Sequence, residues 1–271
     1  MPFTPAHILP VIPIRRWLPF SALAIGTMIP DIPMFFPICK YRDTHSPIGA
    51  VTVCAPIGFA IFLLFEFVMR RPLIELMPAC FAQRLSLRPN FRHGFPFLIS
   101  VVVAVIIGAC SHQIWDAFRH KGRWGTRLLP MLSSDVSMGS LMVPGYKMVQ
   151  YGSTLLGLPF MAGLALHWFR RTTAIPSRLP ALNVKSRSFA YCLLGLTPVV
   201  VGLHALQSLD RHYLLLGATI TRSGTIIACG LVTYSLLFHM WIQTRATYEM
   251  LWTERARGKH TWPSENRSLR P

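Results

Sequence analysis

Charged residues are scarce in this 271-residue chain, at 14% of the sequence, and only ten of them are acidic. Soluble domains carry about 25% charged residues. The shortfall excludes an ordinary water-exposed surface around a globular core. The apolar residues, 52% of the chain, come in blocks that approach the roughly 20 residues needed to cross hydrocarbon.

Cysteine patterns that indicate a zinc knuckle or a disulfide framework are missing too. The six cysteines include no CxxC spacing, so we interpret them as small hydrophobic residues. A cleavable signal peptide is not expected either. In MPFTPAHILPVIPIRRW, prolines interrupt the apolar part and the cations follow it, which reverses the order found in a signal sequence.

The apolar blocks predict an all-α, polytopic helical membrane protein with about five transmembrane helices and a broken N-terminal helical hairpin. The five blocks are Pro47–Met69, Phe95–Trp115, Gly152–Phe169, Phe189–Leu209 and Gly224–Ile242. Residues 1–244 are expected to form a single integral-membrane domain. Residues 245–271 are basic and polar, and we expect this tail to be disordered.

The N-terminal hairpin is predicted from its prolines. Thr4 and Pro5 are typical of a helix start, and Pro10 and Pro13 are expected to interrupt that helix. Leu18–Ile38 is long enough to enter the bilayer, but prolines break its second half around Asp31. Broken helices at membrane depth are tolerated where protein or a wet cavity satisfies the freed backbone groups.

The net charge of +17 suggests a nucleic-acid partner, but the basic residues lie between the apolar blocks. In these positions cations anchor helices at the lipid bilayer, and no nucleic-acid partner is expected. Loops 70–94 and 170–187 and the tail from Arg245 hold 16 of the 27 Lys and Arg residues. The positive-inside rule therefore places them in the cytoplasm. The polar N-terminal region and the end of the second span share the outer side.

Several histidines and aspartates are predicted to meet on that outer side, where ionisable groups at membrane depth indicate function. His112 and Asp116 are four residues apart and share one helix face. His120 continues the stripe. Imidazole and carboxylate together suit a divalent transition metal, with zinc favoured and manganese or iron as alternatives. The predicted ligands are His7, Asp31, His45, His112 and Asp116.

Plainer interpretations remain open for these residues. His112 and Asp116 can form a hydrogen bond at a helix end, and Asp31 can pair with Arg15 or Arg42. Glu66 has Arg70 four residues later, a spacing that favours an ion pair.

The turn-rich segment Lys121–Val149 is long enough to cover a site.

The segments that carry these residues resemble a known family. MPFTPAH, SALAIGTMIPD, HSPIG, SHQIWDAFRHKG and PGYKMVQYGSTLLG follow one another in the chain. Together they resemble the bacterial integral-membrane family called domain of unknown function 4184, well over residues 1–170 and loosely beyond. The family has no established activity. More distantly, the pattern of His, PD, HS and HxxxD is similar to membrane-bound metal-dependent hydrolases and zinc-dependent phospholipase C. That resemblance implies the same five ligands, although we find no suitably placed second HxxxD or HxxxE.

Two functions follow as hypotheses. The first is a metal-dependent hydrolase of the bacterial cytoplasmic (inner) membrane, acting at the membrane surface on a lipid or lipid-linked substrate, with His120 as a proton shuttle. The second is a non-enzymatic transporter-like or scaffold protein. In that case the His/Asp cluster relays protons or fixes helix packing. A transporter is expected to contain inverted repeats, and none is recognisable in the sequence.

Overall fold

The computed structural model describes residues 4–85, 94–139, 141–175, 182–208 and 215–256. Within these ranges, five helices are long and apolar enough to cross a membrane. They span Pro47–Leu76, Phe95–Ala117, Gly145–Arg171, Val184–Leu206 and Gly217–Arg245. Each overlaps one of the predicted apolar blocks, which confirms the all-α polytopic fold.

A broken hairpin precedes the spans, as predicted. It consists of a 3₁₀ helix Thr4–Arg16, helix α1 Phe20–Met28, a 3₁₀ turn Ile29–Asp31 and helix α2 Ile32–Phe35. The expectation that Pro10 and Pro13 interrupt the first helix was wrong, because both lie inside the 3₁₀ helix. Proline lacks the amide donor and its ring clashes in an α-helix. A 3₁₀ helix has three residues per turn, so Pro10 and Pro13 lie on the same face. Val11 lies on another face and is fully buried.

The first span is one long helix with two wider turns. Helix α3 Tyr41–Thr44 precedes it, and α7 Ala79–Ala82 follows. The span itself contains α4 Pro47–Gly49, a π segment Ala50–Cys54, α5 Ala55–Leu63, a π segment Leu64–Met69 and α6 Arg70–Leu76. The predicted ion pair is confirmed: Arg70 Nη1 lies 2.9 Å from Glu66 Oε2.

The remaining elements are mostly long helices. They are α8 Phe95–Ala117, α9 Trp124–Leu128, a 3₁₀ turn Pro130–Leu132, β1 Asp135–Met138, β2 Leu141–Pro144, α10 Gly145–Arg171, α11 Val184–Ser208 and α12 Leu215–Ala256. The antiparallel pair β1–β2 lies in the predicted covering segment and was not expected. Helix α12 continues past Arg245 to Ala256, so the expectation of disorder was wrong for that stretch. Residues 257–271 lie outside the described residues.

Helices α1 and α8 pack side by side and run in the same direction. A Cβ on Gly108 would lie 2.5 Å from the carbonyl oxygen of Leu23, and a Cβ on Gly26 would meet the backbone of Val105. The two glycines therefore permit a backbone-to-backbone approach that larger residues exclude. Leu23 and Val105 are fully buried in the adjoining core. This approach fixes the height of α1 relative to α8.

The turn of the hairpin lies at the amino end of α8. Arg15 and Arg16 line a cavity there together with Phe97 and Ser100. Adding these two arginines to the 16 Lys and Arg residues that the positive-inside rule assigns to the cytoplasm gives 18 of the 27. With Arg15 and Arg16 on this predicted basic side, the rule predicts the carboxyl end of α8 on the outer side.

The close approach of α1 and α8 predicts a cost for any added side chain. We expect Gly108→Ala to destabilise the protein by about 1–3 kcal/mol, because overpacking forces neighbouring backbone to move. Gly163→Ala in α10 is the matched control, since a Cβ there meets nothing within 4 Å. Thermal unfolding in detergent measures both. Equal melting temperatures for the two variants would contradict the packing described.

Candidate metal centre

The structure brings together all five of the predicted ligands. His7 comes from the first 3₁₀ helix, Asp31 from the turn after α1, and His45 from the residue that ends α3. His112 and Asp116 lie in the last two turns of α8. All five are buried, with exposed fractions between 0% and 9%. Residues 109 positions apart in sequence therefore share one small volume.

His112 is held by the backbone of α1. Its Nδ1 lies 2.8 Å from the carbonyl oxygen of Thr27. A carbonyl only accepts, so Nδ1 carries a proton and donates it; in the neutral imidazole this leaves the Nε2 lone pair facing the carboxylates. Nε2 is 3.6 Å from Asp31 Oδ1 and 3.4 Å from Asp116 Oδ2.

His45 repeats this arrangement from the opposite wall. Its Nδ1 lies 3.0 Å from the carbonyl oxygen of Tyr41, so Nε2 again faces inward. Nε2 is 3.8 Å from both Asp31 Oδ1 and Asp116 Oδ2. The Thr44 hydroxyl donates to the Pro30 carbonyl at 2.8 Å, which ties this turn to the backbone that carries Asp31.

The four inward-facing atoms match the dimensions of a metal site. Those of Asp31, His45, His112 and Asp116 all lie within 4.8 Å of one another. Tetrahedral ligands at ~2.0–2.2 Å from an ion lie roughly 3.3–3.6 Å apart, close to the 3.4–3.8 Å observed. Both Nε2 atoms are buried without a hydrogen-bond partner in the described part of the chain. Lone pairs and carboxylates that converge in this way fit a cation between them.

His7 contacts the other side of Asp116. Its Nε2 lies 3.1 Å from Asp116 Oδ1, whereas Oδ2 faces His45 and His112. Arg119 Nη1 lies 3.2 Å from His7 Nε2, 3.4 Å from His7 Nδ1 and 3.7 Å from Asp116 Oδ1. His7 and Arg119 therefore contact each other and the same oxygen of Asp116. In this geometry His7 orients Asp116, and its role as a direct ligand stays a prediction.

His120 lies at the mouth of the cluster. Its Nε2 is 3.4 Å from Asp116 Oδ2, and its side chain is 34% exposed. Tyr41 also borders the cluster, and its ring stacks on His45 with 3.8 Å between centroids. Burial raises the pKa of the Tyr41 phenol, and Asp31 and Asp116 add to the shift. Tyr41 therefore stays neutral over the physiological range, and the His120 side chain reaches from Asp116 to solvent.

Two further residues of the site were not predicted from the sequence. Arg119 is 3% exposed, although its place in a basic stretch is typical of a solvated cation. Gln113 donates from Nε2 to the carbonyl oxygens of Thr44 and Ser46, at 3.0 and 3.1 Å, and so ties α8 to the turn that carries His45. Arg119 follows Asp116 by three residues, a spacing that places both on one helix face; nothing in the sequence indicates the bonds of Gln113.

Comparison with known proteins identifies the family. The family model described as domain of unknown function (DUF4184) matches residues 1–238. This chain belongs to that family. The match extends beyond residues 1–170, where the resemblance of sequence segments was clearest. No curated protein and no solved structure gives a significant match. The more distant likeness to metal-dependent hydrolases stays a prediction.

The geometry predicts that metal content depends on the inward-facing ligands. Protein purified in detergent and equilibrated with zinc is expected to hold about one equivalent. The zinc content of Asp31→Asn or His112→Gln is expected to be at least tenfold lower. His239→Gln is the matched control, because His239 bonds to the Val68 carbonyl, outside the cluster. Elemental analysis gives the metal content. Retention of zinc by both ligand variants would contradict the site.

A second prediction separates His7 from the ligands. If His7 orients Asp116 rather than binding the ion, His7→Ala is expected to weaken zinc affinity about 10–100-fold, as loss of an orienting partner does. The stoichiometry at saturating zinc is then unchanged. Asp116→Ala is expected to abolish binding in the same titration. A His7→Ala variant that binds no zinc at saturation would show that His7 is itself a ligand.

Proposed function

We propose that this protein is a metal-dependent hydrolase of the bacterial cytoplasmic membrane, acting at the membrane surface on a lipid or lipid-linked substrate. The observation that supports the proposal best is the inward orientation of two imidazoles whose outer nitrogens are bonded to backbone carbonyls. Asp31 and Asp116 complete the proposed ligand set. Zinc suits this mixture of nitrogen and oxygen ligands, and manganese or iron are alternatives.

The position of the cluster supports a substrate carried in the bilayer. Asp116 lies next to the last residue of α8, at the end of a membrane-spanning helix. Trp115 and Trp124 nearby are 40% and 54% exposed, and exposed tryptophans are typical of the membrane–water interface. A site at this depth meets lipid headgroups before it meets soluble molecules.

The surrounding residues have distinct proposed roles. Asp31, His45, His112 and Asp116 would hold a divalent ion, which would lower the pKa of a bound water towards neutral. His7 and Arg119 contact Asp116 Oδ1 and keep this carboxylate oriented. His120, in contact with Asp116 Oδ2 and partly exposed, is the group that we propose to move a proton between the cluster and solvent at its ring nitrogens.

The segment after α8 supports the proposed role of a cover. Gly125 in α9 packs directly on the backbone of Ala117, and the Thr126 hydroxyl donates to the His120 carbonyl at 3.2 Å. These contacts hold α9 beside the mouth of the cluster. The β1–β2 pair continues from there to the start of α10, so the whole segment remains on the predicted outer side.

The function is tested with zinc-loaded protein in liposomes made from a bacterial lipid extract, with products followed by mass spectrometry. We expect the wild type to hydrolyse at least one lipid and Asp116→Ala to be inactive. His120→Gln is expected to keep its zinc but lose about 10²–10⁴-fold in rate, the usual contribution of a general acid or base.

His239→Gln is the matched control for activity as well as for metal content. A wild type that binds zinc stoichiometrically but leaves every lipid unchanged would favour the non-enzymatic alternative. If His120→Gln is as active as the wild type while Asp116→Ala is inactive, the hydrolase proposal stands and the proposed proton transfer by His120 is wrong.

A further inference from the structure

Two cavities meet on the membrane side opposite the candidate metal centre. The first, which we call the cationic cavity, has a volume of about 290 Å³ and is lined by Arg15, Arg16, Trp17, Phe20, Phe97 and Ser100, among others. The second, the apolar groove, has about 540 Å³ and runs along α1 past Phe20, Ala24, Ile25 and Ile29. Phe20 lines both, so the cavities adjoin. From Phe97 to Asp116, α8 rises about 28 Å, close to the thickness of the bilayer core.

The cationic cavity is suited to an anion at the membrane interface. Arg15 and Arg16 are exposed, and neither forms a salt bridge within the described ranges. The Arg16 guanidinium lies 3.8 Å above the Trp17 ring, and Trp17 is 66% exposed. Arginine beside an interfacial tryptophan attracts the phosphate of anionic lipids.

The apolar groove is suited to hydrocarbon. Its polar lining residues are Ser21 and Arg70, and both are engaged with Glu66: the Ser21 hydroxyl donates at 2.7 Å and Arg70 Nη1 at 2.9 and 3.0 Å. A polar ligand would thus find few groups to bond. The volume lies in the range of ligand sites, roughly 300–1,000 Å³, and α5 and α6 form part of its wall within a membrane span.

We propose that the two cavities together bind one anionic phospholipid of the cytoplasmic leaflet. Its phosphate lies between Arg15 and Arg16, and an acyl chain enters the apolar groove past Phe20. The combination of paired cations with an adjoining apolar groove matches an amphiphile of negative charge and neither a soluble anion nor a neutral lipid. This binding site is separate from the candidate metal centre and does not depend on the proposed hydrolase activity.

The bound lipid would contact both arms of the N-terminal hairpin. Ile8 lines the groove from the 3₁₀ helix, and Ile29 and Ile32 line it from either side of Asp31. His7 and Asp31, which these arms deliver to the metal centre, are the adjacent residues. The lipid therefore fills space behind the hairpin and favours the packed position of both arms.

The site is tested by native mass spectrometry of delipidated protein titrated with dioleoyl-phosphatidylglycerol or dioleoyl-phosphatidylcholine. We expect the wild type to bind one phosphatidylglycerol at least tenfold more tightly than phosphatidylcholine. Arg15→Gln/Arg16→Gln is expected to lose this preference. Arg170→Gln/Arg171→Gln is the matched control, since it removes an adjacent pair of exposed arginines from the same predicted side and is expected to keep the preference.

A second pair of variants tests the groove. Ala24→Leu narrows it and is expected to weaken phosphatidylglycerol binding at least fivefold, whereas Ala165→Leu on an exposed face of α10 has no effect. An unchanged melting temperature in every variant shows that the protein is folded. Equal losses in the two double-arginine variants would overturn the proposal in favour of unspecific attraction to the basic face. Binding unaffected by Ala24→Leu would overturn the placement of the acyl chain. Competition by glycerol phosphate at the same concentration would point to a site for soluble anions.

Discussion

Two buried carboxylates, Asp31 and Asp116, face the same volume at the carboxyl end of α8, and the rest of the site is arranged around them. Ionised carboxylates are costly to bury unless a cation or several donors accompany them. One oxygen of Asp116 has His7 and Arg119. The inward oxygens instead face the Nε2 atoms of His45 and His112, whose own protons are already committed to backbone carbonyls. That commitment is why a cation accounts for the arrangement better than a network of hydrogen bonds.

The positions of the ligands depend on contacts that fix their backbone segments relative to one another. The glycine contact between α1 and α8 places the Thr27 carbonyl within reach of His112. The 3₁₀ turn after α1 then directs Asp31 towards the same point. Gln113 and Thr44 bond the neighbouring turn to α8 and to the Pro30 carbonyl. Each inward-facing group is therefore positioned by an element that is itself bonded to the next.

Much of this could be predicted from the sequence, because it depends on local pattern. Long apolar runs gave the five spans, and the HxxxD spacing placed His112 and Asp116 on one helix face. An aspartate among prolines marked a break at membrane depth. What was not predicted depends on contacts between distant segments. Arg119 is buried because His7, from the start of the chain, lies beside it. His7 differs from the inward-facing ligands because it contacts Oδ1 of Asp116, whereas His45 and His112 face Oδ2. The prediction that Pro10 and Pro13 interrupt the first helix was wrong, because a 3₁₀ helix accommodates both.

Membrane orientation and assembly of the site are linked through the hairpin. Its turn carries Arg15 and Arg16 to the basic side, while its two ends carry His7 and Asp31 to the opposite side, beside the last turns of α8. Cations at a turn resist transfer across the bilayer, so the arginines oppose any slippage of the hairpin towards the outer side. The close packing of α1 on α8 opposes movement in the other direction, because the glycine contact exists at only one register. Together these two constraints hold residues from the start of the chain at the depth of Asp116, which a short and broken hairpin does not achieve by hydrophobic length alone.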